Sequence, residues 1–177
     1  MVSVNGNIVL IGFMGSGKTA VGNYFKEHYQ METVDTDWLI VEKEGLSIQE
    51  IFAEKGEAYF RLLETGLLEE LSGMKLTGTV ISCGGGMAVN PVNVVKMREI
   101  GFVVYLSASP ETIYRRVKED RGRPLLNDNM NVGFIGELLS KRKDFYERAA
   151  DIRVKTDGKS VEEVCQEILS CGENQLS

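Results

Sequence analysis

Residues Gly12, Phe13, Met14, Gly15, Ser16, Gly17, Lys18 and Thr19 satisfy the pattern G-x-x-x-x-G-K-[ST]. They fall between an apolar run and a helix-like stretch, the context that this pattern requires. The glycines let the backbone curl so that successive N–H groups point inward, making an anion nest at the positive end of the following helix. A triphosphate tail fits such a nest, with Lys18 supplying a point charge to its β and γ phosphates and the Thr19 hydroxyl placed to ligate Mg2+. Asp35 and Asp37 in "VDTD" lie two residues apart, which on an extended chain puts both on one side. Two like charges aimed at one pocket need a cation or proton donors between them. Mg2+ held through water suits one, and substrate hydroxyls suit the other. The competing reading makes Asp37 the N-cap of a helix opening at "WLIVEKE". Arg61, Arg115, Arg116, Arg121, Arg123 and Arg142 supply the complementary charge. A guanidinium binds a carboxylate bidentately or neutralises a phosphoryl group in transfer, although each arginine alone also reads as a solvated surface cation.

Several chemistries are excluded. Neither N-K-x-D nor D-x-x-G occurs, so the nucleotide-base and switch motifs of GTPases are missing. His28 is the only histidine and falls inside a helical pattern, which removes Ser-His-Asp hydrolysis and histidine-rich metal sites and leaves a surface residue. Cys83, Cys165 and Cys171 are odd in number and form no C-x-x-C pair, so they read as reduced thiols, with Cys83 a small buried residue. A net charge of −6 argues against a nucleic-acid scaffold. No apolar run reaches the roughly 20 residues of a membrane helix, and no leader pattern opens the chain. A soluble protein of the cytosol or an organelle matrix is expected.

The elements that must position these residues follow from hydrophobic patterning. "NIVLIGF" (7–13) suits a strand buried on both faces of a parallel sheet, and 31–37, 79–86, 102–108 and 151–157 repeat its strand-then-loop pattern. Helical stretches are expected near 17–29, 47–73, 91–99, 110–119, 133–150 and 160–171. Strand and helix alternate, the signature of an α/β sandwich with helices on both faces and active residues at the carboxyl ends of strands. The polar segment 119–133 reads as a mobile loop, and "GENQLS" as a frayed tail. "VISC" runs straight into Gly84, Gly85 and Gly86, where P-loop proteins commonly place an acid that helps to hold Mg2+.

The P-loop, "DTD", "FR" followed by Glu64, the triple glycine, "RGRPLL" and "KRKDFY" occur in one order from about Asn7 to Leu169. In this the sequence resembles the shikimate kinases. The resemblance implies a fold of the nucleoside-monophosphate-kinase type. That is a three-layer P-loop sandwich with a five-stranded parallel sheet in the order 2-3-1-4-5, in a single domain spanning 1–177. Within it, a lid would span about 119–132 and a substrate-binding helical region about 38–65. The implied reaction moves the γ-phosphate of ATP to the 3-hydroxyl of shikimate. Asp37 would bind the shikimate hydroxyls and take the acceptor's proton, and Asp35 would hold Mg2+ through water beside Thr19. Arg61 and Arg142 would grip the carboxylate, with Gly84, Gly85 and Gly86 lining the site and the Gly85 N–H donating to substrate where others place the acid. ATP would lie on Gly15, Ser16, Gly17, Lys18, Thr19 and Ala20. Arg116 would cover the adenine, Thr156 and Asp157 would form the other wall of the base pocket, and Arg123 would swing in from the lid. Lys18, Asp37 and Arg123 would carry catalysis. A gluconate kinase is the nearest rival and a catalytically silent nucleotide-binding homologue the other; "DTD" with "FR" and the triple glycine favours shikimate. The family implies a cytoplasmic monomer that engages neither nucleic acid nor membrane.

Overall fold

The computed structural model describes residues 4–119 and 131–176. Short β-branched runs form β1 (Ile8–Ile11), β2 (Glu32–Asp35), β3 (Thr79–Ser82), β4 (Phe102–Ser107) and β5 (Ile152–Lys155). All pair in parallel, in the order β2-β3-β1-β4-β5, with Val9 of β1 flanked by Ile81 and Val103. The helices are α1 (Lys18–Tyr29), α2 (Thr36–Glu44), α3 (Ile48–Gly73), α4 (Pro91–Ile100), α5 (Pro110–Glu119), α6 (Val132–Ala149), α7 (Val161–Cys171) and α8 (Glu173–Leu176).

Side chains alternate across a strand, so each central strand serves two cores. Val9, Ile11, Ile81, Val103 and Tyr105 pack with Ile40 of α2, Leu67 and Leu68 of α3, Met97 of α4 and Tyr146 of α6. Ile8, Leu10, Val80, Val104 and Leu106 face the other way, onto Val21 and Phe25 of α1 and Val164 and Ile168 of α7. Fully burying a side chain such as Leu68 or Phe25 contributes roughly 1.5–3 kcal/mol, so these two layers fix the strand ends against which the site is built. Helix starts are set locally. Ser47 and Ser160 each form a capping box, with Glu50 and Glu163, and Asn90 caps α4 ahead of Pro91. α3 breaks direction at Gly56 (φ 83°, ψ 167°), so Arg61 and Glu64 belong to its second segment.

The sheet order and the layering match the sequence expectation, but two local expectations do not hold, for the second strand and for the tail. The second strand stops at Asp35 instead of reaching residue 37, because Asp35 accepts a hydrogen bond from the Trp38 amide (3.0 Å) and caps α2 itself. Asp35 is thus the N-cap, and Asp37 stands in the helix's first turn, so the two carboxylates do not share an extended chain. The third strand, as its strand-then-loop pattern leads one to expect, ends at Ser82, and residues 84–86 lead into a 3-10 turn at Met87–Val89. The tail is not frayed: residues 173–176 form α8, Leu176 is buried in the α1/α7 core, and its carbonyl accepts from the Asn5 amide (3.0 Å). Most of the expected lid, with Arg121 and Arg123, lies outside the described residues.

Candidate active site

The carboxyl end of β1 opens directly into the glycine loop. Gly15 (φ 72°) and Gly17 (φ 106°) occupy left-handed backbone that other residues adopt only with strain, and Gly17 is the N-cap of α1. The loop therefore curls against a helix N-terminus. Lys18 Nζ folds back onto the Gly12 and Phe13 carbonyls (2.8 and 3.0 Å). Ser16 is buried, and its Oγ has no hydrogen-bond partner among the described residues. Thr19 and Ala20 are exposed in the first turn of α1. Arg116 of α5 closes the loop's far side, donating from Nη1 to the Gly15 carbonyl (3.1 Å) and to Thr156 Oγ1 (3.0 Å). Thr156 Oγ1 in turn lies 3.2 Å from the Ser16 carbonyl. The Asp157 carboxylate accepts from the Ser109 amide (2.9 Å) and hydroxyl (2.7 Å), tying the exit of β5 to that of β4. Burial works to raise the Asp157 carboxyl, but the Ser109 bonds, helped by Thr112 and the Lys155 charge, outweigh it and hold it down at about 2.

The other half of the cleft gathers on the triple glycine. A methyl group placed on Gly84 would sit 2.5 Å from Asp37 Oδ1 and 3.2 Å from Glu64 Oε1. One on Gly85 would lie 3.5 Å from Arg142 Nη1 and 3.7 Å from the Gly12 carbonyl, and one on Gly86 would run into the Arg61 guanidinium, 2.8 Å from Cζ. A side chain at 84 would displace the Asp37 carboxylate and one at 86 would push aside the end of Arg61, so glycine at both positions leaves room for charged groups from α2 and α3. Arg142 of α6 also stacks over the Phe13 ring (5.7 Å) and reaches the Gly85 carbonyl at 3.5 Å. Asp37, Arg61 and Arg142, far apart in sequence, thus meet on one floor that abuts the phosphate loop.

Electrostatics within this half are strongly coupled. Arg61 Nη1 donates to Glu64 Oε2 (2.7 Å), while its Nη2 and Nε both reach Glu57 Oε1 (2.9 and 3.3 Å). Glu64 is fully buried, and its Oε1 has no hydrogen-bond partner among the described residues. Burial pushes the Glu64 carboxyl up, and the Arg61 guanidinium only partly offsets this, while Asp37 adds to the rise. For Arg61, burial opposes the charge, yet Glu64 and Glu57 more than compensate and hold it further up.

Glu64, Thr36 and Tyr146 are site residues that motif reading did not assign. Tyr146 Oη donates to the Gly85 carbonyl (2.5 Å), and Thr36 Oγ1 accepts from the Gly84 amide (3.0 Å). The available signals were helical spacing, Glu64 three residues after Arg61 and Tyr146 four after Arg142. Thr36 had only its place between two acids. Arg115 is exposed on α5, and His28 is exposed on α1, stacked on Tyr24 at 4.1 Å.

The shikimate kinase family model matches residues 14–173, a span that runs from within the glycine loop through the triple glycine, Arg142 and Asp157. The chain belongs to the shikimate kinase family. It is 45% identical over 163 residues to a shikimate kinase of Persephonella marina, covering 92% of this chain and 96% of that one. Among solved structures, the Acinetobacter baumannii shikimate kinase in complex with shikimate superposes with a TM-score of 0.85 at 33% identity, covering 97% of this chain and 96% of that one. A gluconokinase from Sinorhizobium meliloti, at 16% identity and a TM-score of 0.56 over 98% of this chain and 94% of that one, shares the P-loop kinase fold alone. The family's ATP-binding, transferase character accounts for a backbone-built anion nest beside a pocket of paired charges.

A divalent cation fits the oxygen donors present. The Thr19 hydroxyl and the Asp35 carboxylate are hard ligands, and the α2 cap bonds only Oδ1 of Asp35. Among the described residues no group of three or more His, Cys, Asp or Glu could cage a metal. The protein would therefore supply part of a shell completed by phosphate oxygens and water, the habit of Mg2+.

Proposed function

We propose that this chain transfers the γ-phosphoryl group of ATP to the 3-hydroxyl of shikimate, releasing ADP and shikimate 3-phosphate for aromatic amino acid biosynthesis. The observation that carries this reading is the meeting of Asp37, Arg61 and Arg142 on Gly84–Gly86, with Gly85 against Gly12 of the phosphate loop. One carboxylate base and two guanidinium receptors beside a triphosphate nest suit a hydroxylated acid presented in line with ATP.

The amides of Gly15, Ser16 and Gly17, with Thr19 and Ala20 behind them, would cradle the phosphates, and Lys18 would leave its two carbonyls for the β and γ oxygens. Arg61 and Arg142 would fix the shikimate carboxylate, while the Gly85 N–H would donate to the ring substituents. Asp37 would hydrogen-bond the 3-hydroxyl and accept its proton as the new O–P bond forms and the β–γ bridge breaks, its electron pair leaving on ADP. Mg2+ held by Thr19 and, through water, by Asp35 would neutralise charge on the transferring phosphate. Arg116 would cover the adenine. With the Thr156 and Asp157 side chains already bonded to their neighbours, the opposite wall would be largely backbone. Arg123 would add a cation from the lid as closure excludes water, the competing acceptor.

The same reading makes residues 1–177 one kinase domain, with 119–132 as lid and 38–65, the stretch of α2 and the first part of α3, as substrate-binding region. It also makes the protein a cytoplasmic monomer with small-molecule substrates and no nucleic-acid or membrane partner. No helix among the described residues is long and apolar enough to cross a membrane. A coupled assay of ADP release with shikimate, gluconate or no acceptor, with and without Mg2+, tests the reaction. Turnover should require both shikimate and the metal, and equal rates with gluconate would refute the substrate assignment.

A further inference from the structure

We propose that Thr36 and Tyr146 are positioning residues whose hydroxyls clamp the triple glycine so that the Gly85 amide faces the acceptor substrate. The inference deepens the shikimate reading above and rests on it. Three consecutive glycines give Asp37, Glu64 and Arg61 room, but they leave the chain with the greatest backbone freedom available to it. Each peptide between them could turn over and carry its N–H away from the cleft. The structure holds these peptides from three directions. The Gly84 amide donates to Thr36 Oγ1 (3.0 Å), the Gly84 carbonyl accepts from the Met87 amide (3.1 Å), and the Gly85 carbonyl accepts from Tyr146 Oη (2.5 Å).

In a trans peptide N–H and C=O point in opposite directions, so fixing the Gly84 carbonyl on Met87 turns the Gly85 N–H away from Met87. The Gly85 and Gly86 amides have no hydrogen-bond partner among the described residues, and both glycines are only half-buried. The clamp thus uses the flanking polar groups and leaves those two donors for a ligand.

Both clamping side chains are fully buried, and the other contacts they make suit the task. Thr36 Oγ1 donates its own proton to Met87 Sδ (3.2 Å), which aims its lone pairs at the Gly84 N–H. A hydroxyl can do both and an isosteric valine neither. Tyr146 stacks on Tyr105 with ring centroids 5.0 Å apart, and burial pushes its hydroxyl up so that it stays a donor. The Arg142 guanidinium, one turn earlier on α6, shares the same carbonyl.

The test compares Thr36→Val, Thr36→Ser and Tyr146→Phe with the unsubstituted enzyme. Shikimate Kd would be measured by calorimetry without nucleotide, alongside both KM values, kcat and Tm. Thr36→Val should raise shikimate Kd and KM about tenfold, the loss expected of one buried hydrogen bond that orients a ligand group, and leave ATP KM within about twofold. Thr36→Ser should restore shikimate Kd to within about twofold, and Tyr146→Phe should weaken shikimate about five- to tenfold while keeping the ring stack. An unchanged shikimate Kd in Thr36→Val, equal rises in both KM values, or failure of serine to rescue would overturn the inference. If Thr36→Val does not fold, Tyr146→Phe decides by the same two-substrate comparison. Absence of shikimate turnover by the unsubstituted enzyme would instead strike the functional reading itself, and this inference with it.

Discussion

The nucleotide half and the acceptor half of the cleft meet where Gly85 approaches Gly12, yet they are made of different materials. Around the phosphate loop, the groups on offer to a ligand are backbone amides set by left-handed glycines and a helix start, and the side chains behind them are bonded to carbonyls: Arg116 to Gly15, Thr156 near Ser16. Around the triple glycine the groups are charged side chains from α2, α3 and α6, and a buried carboxylate, Glu64, stands among them with one oxygen unpartnered among the described residues. A backbone site costs little to keep in shape, because the fold that makes it also holds it. A side-chain site in low dielectric is held by opposing terms, so removing one partner leaves the others exposed to the full desolvation cost.

Substitutions should therefore act unequally on the two halves. The largest effect is expected for Asp37→Asn, which keeps shape but removes the carboxylate proposed above to accept the proton: kcat should fall about a thousandfold with ATP KM little changed. Steady-state kinetics with both substrates check this, and a kcat within tenfold of the parent would show that the acceptor half does not carry the proton transfer. Arg61→Lys keeps the charge and loses the planar fork that Glu64 and Glu57 now hold, leaving Glu64 less well paired. Shikimate KM should rise about thirtyfold, more than kcat falls, and an equal rise in ATP KM would erase the distinction between the halves.

The smallest effect belongs to the nucleotide side. Asp157 is held at about 2, below its ordinary 3.8, by the Ser109 bonds that outweigh its burial. A depressed folded-state value means that the carboxylate adds stability above about pH 4 and that this contribution is lost as the pH falls toward 2. Melting temperatures taken between pH 5 and pH 2 should fall more steeply for the parent than for Asp157→Asn. Parallel slopes would show that Asp157 is not a fastening of the β4 and β5 exits.

The same contrast governs how much the sequence reveals. The phosphate loop is one contiguous motif in a strand-to-helix context, so its location and its shape could both be read. Sheet order and layering came with the strand–helix alternation and the family resemblance. Asp37, Arg61 and Arg142 became candidates through the ordered motifs, and the fold gathers them on the triple glycine, whereas the forces that orient them were not legible. Asp35 caps α2 because its backbone leaves the strand two residues earlier than expected, and Thr36 acquires its role only once β3's exit lies beside it. The tail's polar "GENQ" hides Leu176, which is buried in one core with Val4 at the other end of the chain and Phe102 at the start of β4. For Asp35 one local signal overrode another, whereas Thr36 and Leu176 are set by contacts made across the fold.

Thiol placement sets where this protein is chemically vulnerable. Cys83, at the end of β3 under the triple glycine, is fully buried, and burial suppresses its thiolate; Cys165 is likewise buried and pushed up to about 12. Cys171 is exposed where α7 ends, and the neighbouring Gly172 packs on Phe102, the first residue of β4, at the amino end of the strands and so opposite the cleft. Electrophiles and mild oxidants are thereby drawn to the molecule's underside, and the catalytic face is spared.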